Sequence, residues 1–71
     1  MNRKTTQAYK LIRIHPNFAF TAVDLQRELD LDEDQLTIVW KELLELSKLP
    51  DVLLRFVPRD QPRFEWKIKD N

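Results

Sequence analysis

Residues 20–46, FTAVDLQRELDLDEDQLTIVWKELLEL, decide the fold of this chain because they contain two helix starts in close succession. Thr21 has the chemistry of an N-cap, and Asp24 three residues later can complete a capping box. Asp32 and Gln35 repeat the same arrangement at once. The stretch therefore predicts two helices joined by a very short turn.

Apolar residues support both helices. Phe20 with Leu25, and Leu31 with Leu36, occupy the two positions of a hydrophobic staple at each helix start. The first of the two helices then has a predicted buried stripe of Ala22, Leu25 and Leu29. The second is predicted from Glu33 to about Ser47, and its apolar arc comprises Leu36, Val39, Trp40, Leu43 and Leu46 or Ser47, flanked by Leu44.

A further helix is predicted before this stretch, from Thr5 or Thr6 to Ile14, with Ala8, Leu11 and Ile12 at helical spacing. Pro16 ends it, because a proline disfavours helical backbone in the residue before it. His15 then lies at the helix C-terminus as a solvated cap. The short segment that follows is expected to be extended, with Phe18 and Phe20 both packed inward.

After Asp51 the apolar period changes from that of a helix to that of a strand. Val52, Leu54 and Phe56 alternate with residues 53, 55 and 57. In the second run, Phe64, Trp66 and Ile68 alternate with the charged residues 63, 65, 67 and 69. The segment between the two runs, residues 58–62, is bounded by prolines. The pattern predicts an antiparallel hairpin with a buried aromatic face and a charged solvent face. The ends beyond Lys4 and Lys69 are expected to fray.

Charge is segregated along the 71 residues although the formal net charge is zero. Residues 1–23 carry four bases and no acid, residues 24–47 carry eight acids and two bases, and residues 48–71 carry six bases and four acids. This asymmetry matters more for the choice of partner than the total charge does.

The order helix, short strand, helix, tight turn, helix and hairpin resembles the winged helix-turn-helix superfamily, from about Thr5 to Lys69. The resemblance is carried by residues 20–25, by residues 29–32 through the turn, and by the apolar arc of the last helix. Asp30 stands where the family commonly has Gly, and Asp tolerates the positive φ of that turn better than most residues. The resemblance implies an α+β fold: a three-helix winged helix-turn-helix with a C-terminal β-hairpin wing. The whole chain, residues 1–71, is then one domain.

This resemblance implies a transcription-regulator-like domain that binds double-stranded DNA, as a homodimer or within a larger complex. The last helix is then the recognition helix, whose predicted outward residues are Asp34, Thr37, Ile38, Lys41, Glu42 and Glu45. Its acidic N-terminus opposes phosphate, so we expect the basic wing and N-terminal arm to lead the contact. The candidate nucleic-acid-binding residues are Arg3, Lys4, Thr37, Ile38, Lys41, Arg55, Arg59 and Arg63.

A protein-interaction module that does not bind DNA is the alternative, because the superfamily also includes such modules. Its candidate residues are Asp34, Ile38, Glu42 and Glu45, which would meet a basic protein surface. A second copy could supply that surface through a heterologous contact. An ordinary solvated surface is the third interpretation of each charged region, and it is at least as common in a small domain.

Other classes of function have little support. The chain has one His and one Ser, His15 and Ser47, with no catalytic motif around them, so no enzyme is expected. The acidic run from Asp30 resembles a calcium loop but has Gln35 and Lys41 where Gly and Glu are required. We expect no metal, cofactor, small-molecule substrate or membrane association, and a cytoplasmic location. Trp40 and Trp66 are expected in the core.

Overall fold

The computed structural model describes residues 1–67, which form three helices and a three-stranded antiparallel sheet. The elements in chain order are α1 (Arg3–Ile14), β1 (Phe20–Thr21), α2 (Ala22–Leu29), α3 (Glu33–Ser47), β2 (Leu54–Val57) and β3 (Arg63–Trp66). The predicted α+β class is therefore confirmed. The predictions for Ile68 and Lys69 lie outside the described residues.

Helix α1 begins at Arg3, so its predicted start at Thr5 or Thr6 is wrong. Asn2 is the N-cap, and its side-chain oxygen accepts a hydrogen bond from the backbone N–H of Lys4 at 2.9 Å. This cap orders residues that were expected to fray, because it gives one unpaired N–H of the first turn a partner. The helix ends at Ile14 as predicted, with His15 at the C-cap.

The two capping boxes between β1 and α3 are confirmed. Thr21 and Asp24 exchange hydrogen bonds of 3.2 and 3.0 Å, and Asp32 and Gln35 exchange bonds of 2.8 and 3.1 Å. The Thr21 backbone N–H holds the pKa of the Asp24 carboxyl below its ordinary value, against the opposing effect of burial. Both helices therefore begin where their own side chains can satisfy the first backbone donors.

The turn from α2 to α3 depends on left-handed backbone at Asp30, with φ of 52° and ψ of 55°. This conformation lets the N–H groups of Asp30 and Leu31 both bond the carbonyl of Gln26. Within residues 1–67, Asp30 is the residue with positive φ, at the position where the resemblance implies it.

The sheet has the strand order β1-β3-β2, and its inner face packs on the helices. Phe64 of β3 is fully buried, and its ring lies 4.6 Å from Trp40 of α3 and 5.2 Å from Phe56 of β2. The predicted core position of Trp66 agrees with its contact with Tyr9, at 5.5 Å between ring centroids. The predicted turn over residues 58–62 is confirmed, although β2 begins at Leu54 rather than Val52.

One predicted core residue is exposed. Phe18 leaves 50% of its surface in solvent, while Phe20 is buried. The ring of Phe18 packs against the outside of Phe20, with centroids 4.6 Å apart. Strand β1 has only two residues, Phe20–Thr21, so the sheet offers no inward position to Phe18.

The turn at Asp30 gives a test of stability. Asp30→Val should lower the free energy of unfolding by about 1–2 kcal/mol, because a β-branched residue is strained at positive φ. Asp30→Gly should leave it unchanged or raise it by up to about 1 kcal/mol, since Gly adopts this conformation without strain. Urea unfolding followed by circular dichroism measures both, and equal stability of the two variants would contradict this account of the turn.

Candidate nucleic-acid interface

The solvent face of the sheet carries charged residues because side chains alternate along each strand. Strands β2 and β3 pair Leu54 with Trp66 and Phe56 with Phe64 on the inner face. The intervening pairs are therefore on the outer face, and they are Arg55 with Glu65 and Val57 with Arg63. The hydrophobic register of the hairpin thus also places Arg55 and Arg63 on the outer face.

Three arginines surround one concave site on this face. Arg55 and Arg63 come from neighbouring strands, and Arg59 comes from the loop between them. The pocket has a volume of about 270 Å³, and its lining residues are Ala19, Arg55, Val57, Arg59, Arg63 and Glu65. We call it the arginine pocket. With three positive charges and one negative charge, it can attract an anion.

The arginines have few competing partners. Arg55 forms a loose ion pair with Glu65 at 3.6 Å, and its side chain is 60% exposed. Arg63 donates from Nε to the carbonyl of Gln61 at 3.1 Å, which leaves its terminal nitrogens available. Within residues 1–67, the side chain of Arg59 makes no hydrogen bond or ion pair. The pocket is therefore not neutralised by its own described surroundings.

Helix α3 presents a different surface. Its exposed residues include all of the predicted outward ones except Glu42, and they are Asp34, Thr37, Ile38, Lys41 and Glu45. Ile38 leaves 45% of its surface exposed. A shallow groove beside these residues is lined by Ala22, Leu36, Thr37, Trp40, Lys41 and Leu44. Lys41 is the only base within α3, so the helix is predominantly acidic.

Glu42 does not point freely into solvent, which corrects the predicted outward position. It is half-buried, and its carboxylate accepts hydrogen bonds from the Thr5 hydroxyl and from the backbone N–H of Asn2. The Thr5 hydrogen bond holds the pKa of Glu42 below its ordinary value against the opposing effect of burial, and the Asn2 N–H and the N-terminal charge lower it by smaller amounts. Glu42 therefore links α3 to the start of α1.

The N-terminal bases do not form a flexible arm. Arg3 and Lys4 lie in the first turn of α1, and Lys4 Nζ donates to the carbonyl of Leu29 at 3.3 Å. The contacts of Asn2 and Thr5 with Glu42 hold this turn against α3. The structure thus brings Arg55, Arg59 and Arg63 together, while Arg3 and Lys4 are not among the residues that line their pocket.

The contact between Thr5 and Glu42 was missed in the sequence. A signal was present, because Thr5 shares a helical stripe with Ala8 and Ile12, and all three are buried. A hydroxyl on an apolar stripe needs a hydrogen-bond partner when it is buried. The sequence gives no means to identify that partner among the acids of α3.

A scan against protein-family models finds no matching family, and searches of curated proteins and of solved structures find no match either. No helix within residues 1–67 is both long and apolar enough to cross a membrane. The same residues contain no group of three or more acids or histidines placed to hold a metal ion. The function has to be inferred from the two charged surfaces.

The contact with Glu42 gives a test of pH dependence. Because the pKa of Glu42 is lowered on folding, its stabilising effect is complete above the ordinary value of 4.5. The effect is lost as pH falls through the lower, folded-state pKa. Wild type should therefore have a higher Tm than Glu42→Gln near pH 7, and this advantage should shrink steadily below about pH 4.5.

Thermal unfolding followed by circular dichroism at a series of pH values measures this difference. Glu45→Gln is the matched control, because Glu45 is exposed on the same helix. It should retain the wild-type response to acid. A Tm difference between wild type and Glu42→Gln that is the same at all pH values would contradict the role assigned to Glu42.

Proposed function

We propose that this chain is a small winged-helix domain that binds double-stranded DNA through the arginine pocket, in a transcription-regulator-like role. The observation that carries the proposal is the convergence of Arg55, Arg59 and Arg63 on the solvent face of the hairpin. In this proposal the hairpin is the wing, and α2 and α3 form the helix-turn-helix.

Phosphate is the chemical group that best fits the pocket. A guanidinium group presents N–H donors in a planar fork that matches two phosphate oxygens. Arg55 and Arg59 are exposed, and Arg63 is partly fixed by the hydrogen bond from its Nε to the Gln61 carbonyl. Together they can bind the phosphate that enters the pocket and the phosphates on either side of it, and each phosphate neutralised adds to affinity by releasing counterions.

A duplex fits this surface better than a single strand does. Proteins that bind single strands usually stack bases on exposed aromatic rings. In the described sheet the aromatic residues instead pack on the core side, namely Phe20, Phe56, Phe64 and Trp66. The outer face therefore offers backbone contacts without a stacking platform.

Helix α3 has a secondary role in this proposal. Thr37, Ile38 and Lys41 are exposed and could meet base edges, but Asp34 and Glu45 beside them repel phosphate. We therefore expect contacts with the backbone to dominate, with modest sequence preference and strong dependence on salt. Arg3 is a peripheral contact at most, and Lys4 is held by Leu29.

The alternative function, a protein-interaction module, is favoured by one specific observation. Ile38 is an exposed apolar residue among acids, and it lies on α3 beside the groove that contains Trp40 and Leu44. An apolar centre with a charged rim is common in protein interfaces. Such a module would use α3 and leave the arginine pocket free.

Fluorescence anisotropy with a labelled mixed-sequence duplex tests the DNA proposal. If three phosphates are neutralised, affinity should fall roughly 40-fold between about 50 and 200 mM salt, since the logarithmic slope is about −0.9 per phosphate. The triple variant Arg55→Gln/Arg59→Gln/Arg63→Gln should lose most binding at low salt and nearly all of the salt dependence. A single strand of the same length should bind more weakly than the duplex.

The matched control is Lys10→Gln/Arg13→Gln/Lys48→Gln, which removes the same formal charge from exposed positions outside the pocket. It should retain most of the affinity. Equal losses in the two triple variants would indicate diffuse attraction and contradict a site in the hairpin. Absence of wild-type binding at low salt would overturn the DNA proposal as a whole.

A further inference from the structure

We propose that the chain also associates with itself, head to tail, through the arginine pocket of one copy and the acidic face of α3 of another. The acidic face of α3 is defined by Asp34, Ile38 and Glu45, which helical periodicity places on one side of the helix. This association requires no nucleic acid, so it goes beyond the DNA proposal and can be tested separately.

The charges of the two surfaces are complementary. The arginine pocket has three positive charges and one negative charge, from Glu65. The acidic face has two carboxylates, from Asp34 and Glu45, and both residues are exposed. Lys41 lies on the same side, but it is the one base in α3, which carries four acids in all. Complementary surfaces of this kind raise the rate of encounter and fix the orientation of the partners.

The apolar parts of the two surfaces also match. Ile38 lies on the acidic face with Asp34 four residues before it and Glu45 seven residues after it, so the three share one side of the helix. In the arginine pocket, Val57 and Ala19 lie among the arginines. Ile38 of one copy can therefore contact Val57 of another while the charged groups pair around them. An apolar centre within a polar rim is typical of protein interfaces.

The positions of the two surfaces determine the kind of assembly. Trp40 packs α3 against the inner face of the sheet, at 4.6 Å from Phe64 and 6.2 Å from Phe56. The arginine pocket lies on the outer face, and Ile38 lies on the side of α3 that is turned to solvent. One molecule thus presents its two charged surfaces in different directions. Two copies cannot pair both contacts at once, so the contact is heterologous and can extend to further copies.

The association should be weak and sensitive to salt. Each surface is small, and interfaces below about 1,200 Å² are usually transient. Exposed ion pairs are screened over about 10 Å at 0.1 M salt. We therefore expect short chains of copies at high protein concentration and low salt, and monomers in moderate salt.

Sedimentation velocity of the full chain, purified free of nucleic acid, tests this inference. At low salt the weight-average mass of wild type should rise above the monomer mass of 8.6 kDa as concentration increases. Adding salt should return it to the monomer mass. A wild type that stays monomeric at millimolar concentration and low salt would overturn the inference.

Two neutralising variants identify the contact. The pocket variant is Arg55→Gln/Arg59→Gln/Arg63→Gln, and the face variant is Asp34→Asn/Ile38→Ala/Glu45→Gln. Each retains one of the two surfaces, so each should remain monomeric alone. An equal mixture should form a complex of two chains that grows no further, because each chain can supply only one partner surface. The replacements are neutral rather than charge-reversed, so the two variants cannot form a new attractive contact between reversed charges.

The mixture separates this contact from any other. Association of either variant alone at the wild-type level would place the interface elsewhere and overturn the inference. So would a mixture that stays monomeric although both variants unfold at the wild-type temperature. The charge control Lys10→Gln/Arg13→Gln/Lys48→Gln should associate like wild type. DNA binding by a chain that does not self-associate would overturn this inference alone, and the reverse result would overturn only the DNA proposal.

Discussion

The edge contact of Trp40 with Phe64, at 4.6 Å, is the interaction on which the rest of the structure depends. Phe64 is fully buried at the centre of β3, and it pairs with Phe20 on one side and Phe56 on the other. The chain has no cysteine and only 71 residues, so apolar packing must join the helices to the sheet, and Phe64 lies within that core. Once Phe64 points inward, alternation along the strands places Arg55 and Arg63 on the solvent face.

Features set by neighbouring residues were predictable from the sequence. Both capping boxes and the extent of α3 depend on hydrogen bonds that span three or four residues, while the positive φ of Asp30 was expected from the resemblance to the winged-helix pattern. The turn over residues 58–62 follows from its prolines and from the alternation on each side. These local predictions hold in the folded chain because the tertiary packing favours the same local conformations.

Features set by distant residues were not predictable. Helical periodicity places Glu42 outside the main apolar arc of α3 and so predicts that it faces solvent. Its hydrogen bond from Thr5, 37 positions away, instead holds it against α1. Phe18 looks like a core residue by alternation, yet the shortness of β1 leaves it outside. Likewise, the sequence identifies Arg55, Arg59 and Arg63 as hairpin residues. Only the strand register and the path of the loop bring them around one pocket.

The acids at the start of α3 are explained by the helix itself, since negative charge near an N-terminus is stabilised by the helix dipole. They nevertheless make α3 a poor surface for phosphate. Within residues 1–67, three arginines surround one concave site in the arginine pocket. If both proposals hold, DNA and a second copy compete for the same arginines. By mass action, DNA would then dissociate the assembly, and high protein concentration would weaken DNA binding.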